Sequence, residues 1–292
     1  GQDERPAVDA LVACESVEIP RLFERSSASR VRLAGLRKDV ASYSSLAQAA
    51  GTDTPAVSEP SGASPDEEFW DALNDDLSHD ADKATDFGAA FHLCAQWAVK
   101  ERAASHGVLA MPPCDRLRAI ACGCGLRDTS LPRLEAALER WFSSDVARVC
   151  EGADEMYAEL PFFVSLEEGS SCDGESPAIR YLEGSIDLFA SWRGAEGGKP
   201  RALIVDYKTG GSDDETDEAL HAKHLLQASC YSYVALMRGF DEVETLFVRV
   251  ERTDVHRCDQ PCVVRYLFEA ADRDVLRSRI DEACTLLAKR RA

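Results

Sequence analysis

Residues 201–208 read Arg-Ala-Leu-Ile-Val-Asp-Tyr-Lys: four apolar residues, Ala202 to Val205, run straight into an acid and a base. An apolar run this short, bounded by turn residues, is a strand driven into a core. Side chains alternate along a strand, so Ala202, Ile204, Asp206 and Lys208 share one face. An acid and a base at the end of a buried strand cost free energy unless a metal or a substrate satisfies them. Upstream, Gly184-Ser185-Ile186-Asp187-Leu188 lies in a second strand-like segment, and the stretch from Trp192 to Pro200 is rich in turn residues. The two segments are expected to form a hairpin. Asp187 and Asp206 would then make a carboxylate pair on neighbouring strands. Two hard oxygen ligands with an open remainder suit Mg2+ or Mn2+. Lys208 would hold the attacking water and offset charge that develops on a phosphate. An isolated Asp-x-Lys is commonly a surface ion pair, so the surroundings decide.

Around this hairpin the chain alternates in texture. Residues 67–106 read as mostly helical, best over 85–104, with Thr85-Asp86 as a cap before Phe87, Phe91, Leu93, Trp97 and Val99. Helix is expected again over 115–149, broken near Gly123-Cys124-Gly125 and restarted after Leu131-Pro132. Strand character appears at 156–166, 179–192, 201–208, 245–252 and 262–269. Helices are expected at about 216–238 and 270–290. This order predicts an α/β fold, a central mixed sheet flanked by helices, with a helical N-terminal part. Residues 51–66 contain Pro55, Pro60 and Pro65 among small polar residues and read as a linker. The expected organisation is an N-terminal extension and flexible linker over 1–66 and one domain over 67–292, with a helical insertion at about 107–150.

Several short motifs recur in a recognisable order: Ser42-Tyr43-Ser44-Ser45-Leu46, Gly88-Ala89-Ala90-Phe91-His92, Glu159-Leu160-Pro161-Phe162, Gly184-Ser185-Ile186-Asp187, Asp206-Tyr207-Lys208-Thr209, and Gln227 with Tyr231. In that order and spacing the sequence, over roughly residues 39–236, resembles the RecB-type branch of the PD-(D/E)XK nucleases. The resemblance implies a restriction-endonuclease-like core and a Mg2+- or Mn2+-dependent deoxyribonuclease, of exonuclease type. It implies His92, Asp187, Asp206 and the backbone carbonyl of Tyr207 as metal ligands. Lys208 positions the attacking water, and Gln227 with Tyr231 touches the DNA backbone or braces Lys208. Glu159 either supports the metal shell or is a strand-edge acid. Hydrolysis would be in line at phosphorus, leaving a 3′-hydroxyl and a 5′-phosphate. The implied setting is the nuclease part of a bacterial helicase–nuclease in double-strand break repair and recombination. The sequence has no Gly-x4-Gly-Lys-Ser/Thr phosphate loop, since Gly197-Gly198-Lys199-Pro200 is too short. A helicase module is therefore expected elsewhere in the parent chain or on a partner subunit. The rival expectation is a domain of the same fold that has lost catalysis and serves as a DNA-binding or scaffolding module. Cleavage separates the two.

Charge is the awkward observation. The formal net charge is −19, and phosphate contacts normally need Lys and Arg. Much of the acid is local: Asp66, Glu67, Glu68, Asp71, Asp75, Asp76, Asp80, Asp82 and Asp86 against Lys83, and Asp213, Asp214, Glu215, Asp217 and Glu218 in a second run. A local basic strip would have to meet DNA, with Lys100, Arg102, Arg116, Arg118 and Lys223 as candidates. The 11 cysteines include Cys122-x-Cys124 and Cys258-x-x-x-Cys262. Their spacing does not match the cluster-binding relatives, so reduced thiols and no iron–sulphur cluster are expected. No apolar run reaches membrane-spanning length. The first residues lack the layout of a secretory signal and an initiator Met, as in a segment of a longer chain. A cytoplasmic protein is the resulting expectation.

Overall fold

The computed structural model describes residues 39–51, 84–102, 105, 107–166, 179–194, 198–210 and 215–291. The extension before residue 39, the linker at 52–66 and most of the acidic segment 66–86 lie outside the described residues. Among the described residues the elements are β1 (Val40–Ser42), α1 (Tyr43–Ala50), α2 (Ala84–Glu101), α3 (Cys114–Gly123), α4 (Leu131–Phe142), α5 (Asp145–Glu151), β2 (Glu155–Ser165), β3 (Tyr181–Trp192), β4 (Arg201–Lys208), α6 (Asp217–Met237), β5 (Glu242–Thr253), β6 (Pro261–Glu269) and α7 (Arg273–Arg291). This is an α/β fold: a mixed central sheet of six strands flanked by seven helices, consistent with a restriction-endonuclease-like core. Among the described residues, no helix is long and apolar enough to cross a membrane.

Strand β3 is the hub of the sheet. It pairs antiparallel with β2 from Tyr181 to Ser191, so one of its edges is occupied almost throughout. Its other edge carries β1 in parallel at Tyr181–Glu183 and β4 antiparallel at Leu188–Trp192. Between those two partners, residues 184–187 face a notch where β4 has left β3 and β1 has ended. The expected hairpin is therefore present, and its acid-and-base end opens into this notch. Beyond it, β4 runs parallel to β5, and β5 antiparallel to β6.

Both faces of the sheet are covered, which is why β4 reads as unbroken apolar sequence. Ala202 and Ile204 pack with α1, α6 and α7 through Leu46, Leu226, Cys230, Ile280 and Leu287. Leu203, Val205 and Tyr207 pack on the opposite face with α2 to α5 through Phe91, Leu134, Leu138 and Trp141. Helix α6 connects β4 to β5 and is buried along most of its length, from Leu226 to Leu236. The break expected near Gly123 is present, and a second occurs at Ser143-Ser144. There Ser144 Oγ caps α5 by accepting from the Ala147 amide at 3.1 Å. Helix α2 begins at Ala84, ahead of the Thr85-Asp86 pair expected as its cap.

One stretch differs from the sequence reading. Residues 39–50, placed there in an extension, form β1 and α1, and the compact unit begins at Asp39. The polar motif Ser42-Tyr43-Ser44-Ser45 is a capping box: Ser42 Oγ accepts from the Ser45 amide at 3.3 Å, and Ser45 Oγ accepts from the Ser42 amide at 3.0 Å. Serines in this pattern satisfy helix-end amides, while Leu46, Ala47 and Ala49 are buried against the sheet.

Candidate functional site

Strands β2 and β3 both break their alternation at the notch. Met156 packs on the α2–α5 face and Leu160 on the opposite face, although residues an even number apart on a regular strand share a face. In β3, Ile186 and Leu188 likewise lie in opposite core layers. The register itself is unchanged, Ala158↔Leu188 on one side and Leu160↔Ile186 on the other, with Glu159 and Asp187 between them. Glu159 has φ 49°, a left-handed conformation in a non-glycine residue. That costs on the order of 1–2 kcal/mol, and such strain collects where a side chain must be aimed. Here it aims a carboxylate into the notch, where Ser185 Oγ donates to Glu159 Oε2 at 3.3 Å.

Helix α2 supplies the third member. His92 Nδ1 lies 3.5 Å from Glu159 Oε1 and 3.6 Å from Asp187 Oδ1. One ligand atom from each of the three residues falls within 4.8 Å of the others. The Tyr207 ring, buried between Phe91 and Trp141, meets His92 edge-on at 5.6 Å and fixes its plane. Helix α2 approaches closely at Gly88, where a Cβ would come 3.2 Å from Thr209 Oγ1. The spacing of Gly88 and His92, one turn apart, thus docks the helix on the end of β4 and presents the imidazole.

Beside this triad, Asp206 and Lys208 form a second group. Lys208 Nζ lies 2.9 Å from Asp206 Oδ1, with both side chains largely buried. Gln227 Nε2 donates to Asp206 Oδ2 at 2.7 Å and to the Tyr231 hydroxyl at 2.9 Å. The Tyr231 hydroxyl also reaches Asp206 Oδ2 at 3.4 Å. Burial, then the charge of Asp206, holds the Tyr231 phenol well above its ordinary value, so it stays a donor. Among the described residues Gln227 Oε1 is buried without a hydrogen-bond partner, an acceptor left open beside the acid. The Tyr207 amide joins the groups by donating to Asp187 Oδ2 at 2.8 Å.

The structure thus brings His92, Asp187, Asp206, Lys208, Gln227 and Tyr231 together at one end of β4. Of the two readings of Glu159, the one beside the metal ligands fits its position in the group that could hold an ion, with His92 and Asp187. Asp206 is engaged by Lys208, Gln227 and Tyr231. At Tyr207 the contact is through the amide to Asp187. The signal for Glu159 was its motif, but a backbone turned to φ 49° leaves no trace in a single sequence. Of the basic candidates, Arg102 is consumed by backbone carbonyls of Gly107, Glu151 and Ala153. Lys100, Arg116 and Arg118 are exposed.

The electrostatics suit a cation. Burial raises Asp187 well above the usual carboxylate range; His92 counters this, and Asp206 and Glu159 add to it. Burial alone would lower His92, but Asp187 and Glu159 outweigh it and raise the imidazole above its ordinary value. Two acids and a nitrogen turned toward one point therefore hold a proton where a small divalent ion would serve both carboxylates. Nitrogen and carboxylate donors fit Mn2+ and accept Mg2+. The separations of 3.5 and 3.6 Å are slightly wider than the roughly 3 Å between adjacent ligands of an ion bound at about 2.1 Å. Small side-chain adjustments close that gap.

Two further motif residues have packing reasons. A Cβ on Gly184 would lie 2.6 Å from Phe162 Cζ, and Phe162 meets Tyr231 edge-on at 5.9 Å. Gly184→Ala is expected to destabilise the fold by about 1–3 kcal/mol, as overpacking does, read as a lower midpoint in denaturant. An unchanged midpoint would contradict this packing. His224, on α6, is stacked on Phe247 at 4.4 Å. Burial, then Lys208, Lys223, Arg249 and His221, lowers its pKa to about 2. A folded-state value below the unfolded ~6.5 means the unfolded chain takes up the proton first. Stability is then full above pH ~6.5 and falls below it by about 1.4 kcal/mol per pH unit. Between pH 7 and 5 the loss should be about 2 kcal/mol smaller in His224→Asn. Parallel denaturation curves for both proteins at both pH values would show a charged or exposed His224 instead.

A family profile described as the PD-(D/E)XK nuclease superfamily matches residues 69–291. No curated protein matches the chain.

Proposed function

The chain belongs to the PD-(D/E)XK nuclease superfamily, and from that premise we propose that it is a metal-dependent DNA nuclease. The observation that carries this reading is the convergence of His92, Glu159 and Asp187 beside a buried Asp206–Lys208 pair. His92, Glu159 and Asp187 would hold a Mg2+ or Mn2+ ion, with Asp206 and the Tyr207 carbonyl as further ligands. Such an ion lowers the pKa of a bound water and offsets charge on the phosphate. The chain's own residues do the rest. Gln227 and Tyr231 fix the Asp206 carboxylate through Oδ2, which leaves Oδ1 directed at Lys208. Lys208 positions the attacking water and donates to phosphate oxygens as they gain charge. The edge-on Tyr207 ring keeps the His92 imidazole aligned, and the buried walls of the notch strengthen each of these contacts.

The finer reading rests on the RecB-type order of the six motifs. On that ground the protein is an exodeoxyribonuclease and the nuclease part of a helicase–nuclease in double-strand break repair and recombination. Its motor would lie in the same parent chain or on a partner subunit, and its location would be cytoplasmic. The test is incubation with labelled linear DNA, single- and double-stranded, without ATP. Products with 5′-phosphate ends should accumulate with Mg2+ or Mn2+ and not with chelator. Binding of the same DNA with no cleavage under any divalent ion would favour the catalytically silent module instead.

A further inference from the structure

Arg249, on β5, is the register partner of Lys208 on β4, roughly 4.8 Å away across the parallel pair. Its side chain is 7% exposed, and Arg249 Nη2 lies 3.0 Å from Glu215 Oε2. The other oxygen of the same carboxylate, Glu215 Oε1, lies 3.1 Å from Lys223 Nζ. Glu215 stands just before Thr216, which caps α6 by accepting from the Ala219 amide at 3.2 Å. Three cations, Lys208, Arg249 and Lys223, therefore line one approach to the site of a chain whose net charge is −19. After burial, these three with His221 lower the His224 pKa.

Resting on the nuclease reading above, we infer that Arg249 and Lys223 form a subsite for a DNA backbone phosphate next to the scissile one, which Glu215 occupies in the DNA-free protein. A carboxylate held between a guanidinium and an ammonium presents the same acceptor chemistry as a phosphate, and Arg and Lys are the residues that receive both. Arg249 is too buried to give up a charged partner at low cost, so an anion that takes the place of Glu215 offsets that cost. Glu215, at 24% side-chain exposure, and Lys223, at 38%, can exchange partners with solvent-borne groups. The exchange also accounts for an acidic residue beside a phosphate path: it keeps the cations in place and weakens binding until a strand displaces it.

The test is fluorescence anisotropy of a short labelled single strand, with Ca2+ in place of Mg2+, on the wild type, Glu215→Gln and Lys223→Gln. Thermal midpoints are measured on the same samples. Glu215→Gln should bind DNA roughly fivefold more tightly, the size expected for removing one partly exposed competing ion pair. Its thermal midpoint should fall, because Arg249 and Lys223 both lose the Glu215 charge. Lys223→Gln should bind more weakly, with the slope of log affinity against log salt reduced by about 0.7. A merely structural Glu215 would lower stability and affinity together, and that result overturns the inference. Should Glu215→Gln fail to fold, Lys223→Gln decides alone, and an unchanged salt slope overturns the subsite. A wild type that binds and cleaves DNA while neither variant changes binding refutes this inference only. A wild type that neither binds nor cleaves removes the nuclease reading along with it.

Discussion

Lys208→Ala is expected to slow DNA cleavage by roughly 100- to 1,000-fold, the usual cost of removing one preorganised donor to a developing anion, and to leave divalent-metal affinity equal or tighter. Lys208 Nζ lies 2.9 Å from Asp206 Oδ1 and is mostly buried, so it acts in a poorly screened setting. Its removal takes away a positive charge that competes with a cation for the same carboxylate. The fold should survive, because Asp206 keeps Gln227 and Tyr231 as donors. Steady-state cleavage and Mn2+ calorimetry on the same preparation check both halves. A variant that loses metal binding together with cleavage would show Lys208 to be structural.

The second large effect concerns Asp187 and Glu159. Asp187→Ala removes the triad's most buried acid and should weaken Mn2+ binding more than about 100-fold; even outlying partners of a metal ligand cost 10- to 100-fold. Cleavage should fall with it. Glu159→Gly separates function from stability. Glycine takes φ 49° freely, which relieves on the order of 1–2 kcal/mol against about 0.5–1 kcal/mol of added chain entropy. It also removes one of the acids crowded around the notch. The variant should therefore be as stable as the wild type, or more so, while binding Mn2+ less tightly. Denaturant midpoints and calorimetry test this. A stability loss of several kcal/mol would mean that Glu159 holds the sheet together instead of aiming at an ion.

Strands β3 and β4, the hairpin between them and helix α6 were legible because their signals are local: short apolar runs, turn residues and helical spacing. The grouping of Asp187, Asp206 and Lys208 followed from strand register, which a hairpin sets by itself. Gln227 and Tyr231 were legible only through their motif, since nothing local shows that α6 folds back over Asp206. The switch of face in β2 and β3 was not legible. A regular alternation is the default for any strand, and only the packing of Met156 and Leu160 into opposite core layers reveals the break. That break turns Glu159 toward His92 and Asp187, the position expected of an acid that supports a metal shell. Ser42 and Ser45 entered only as part of a motif, and their capping role shows only in the reciprocal hydrogen bonds to each other's amides. Arg102 looked available by charge, yet the carbonyls of nearby Gly107 and of Glu151 and Ala153 at the end of α5 claim it.

The most direct test of the central claim compares two curves on one protein: the Mn2+ binding isotherm by calorimetry, and the rate of linear-DNA cleavage against Mn2+ concentration. If His92, Glu159 and Asp187 hold the ion that hydrolysis requires, the two curves share a midpoint in the wild type, and both vanish in Asp187→Ala. Cleavage that persists in excess EDTA, or an isotherm unchanged in Asp187→Ala, would contradict that account.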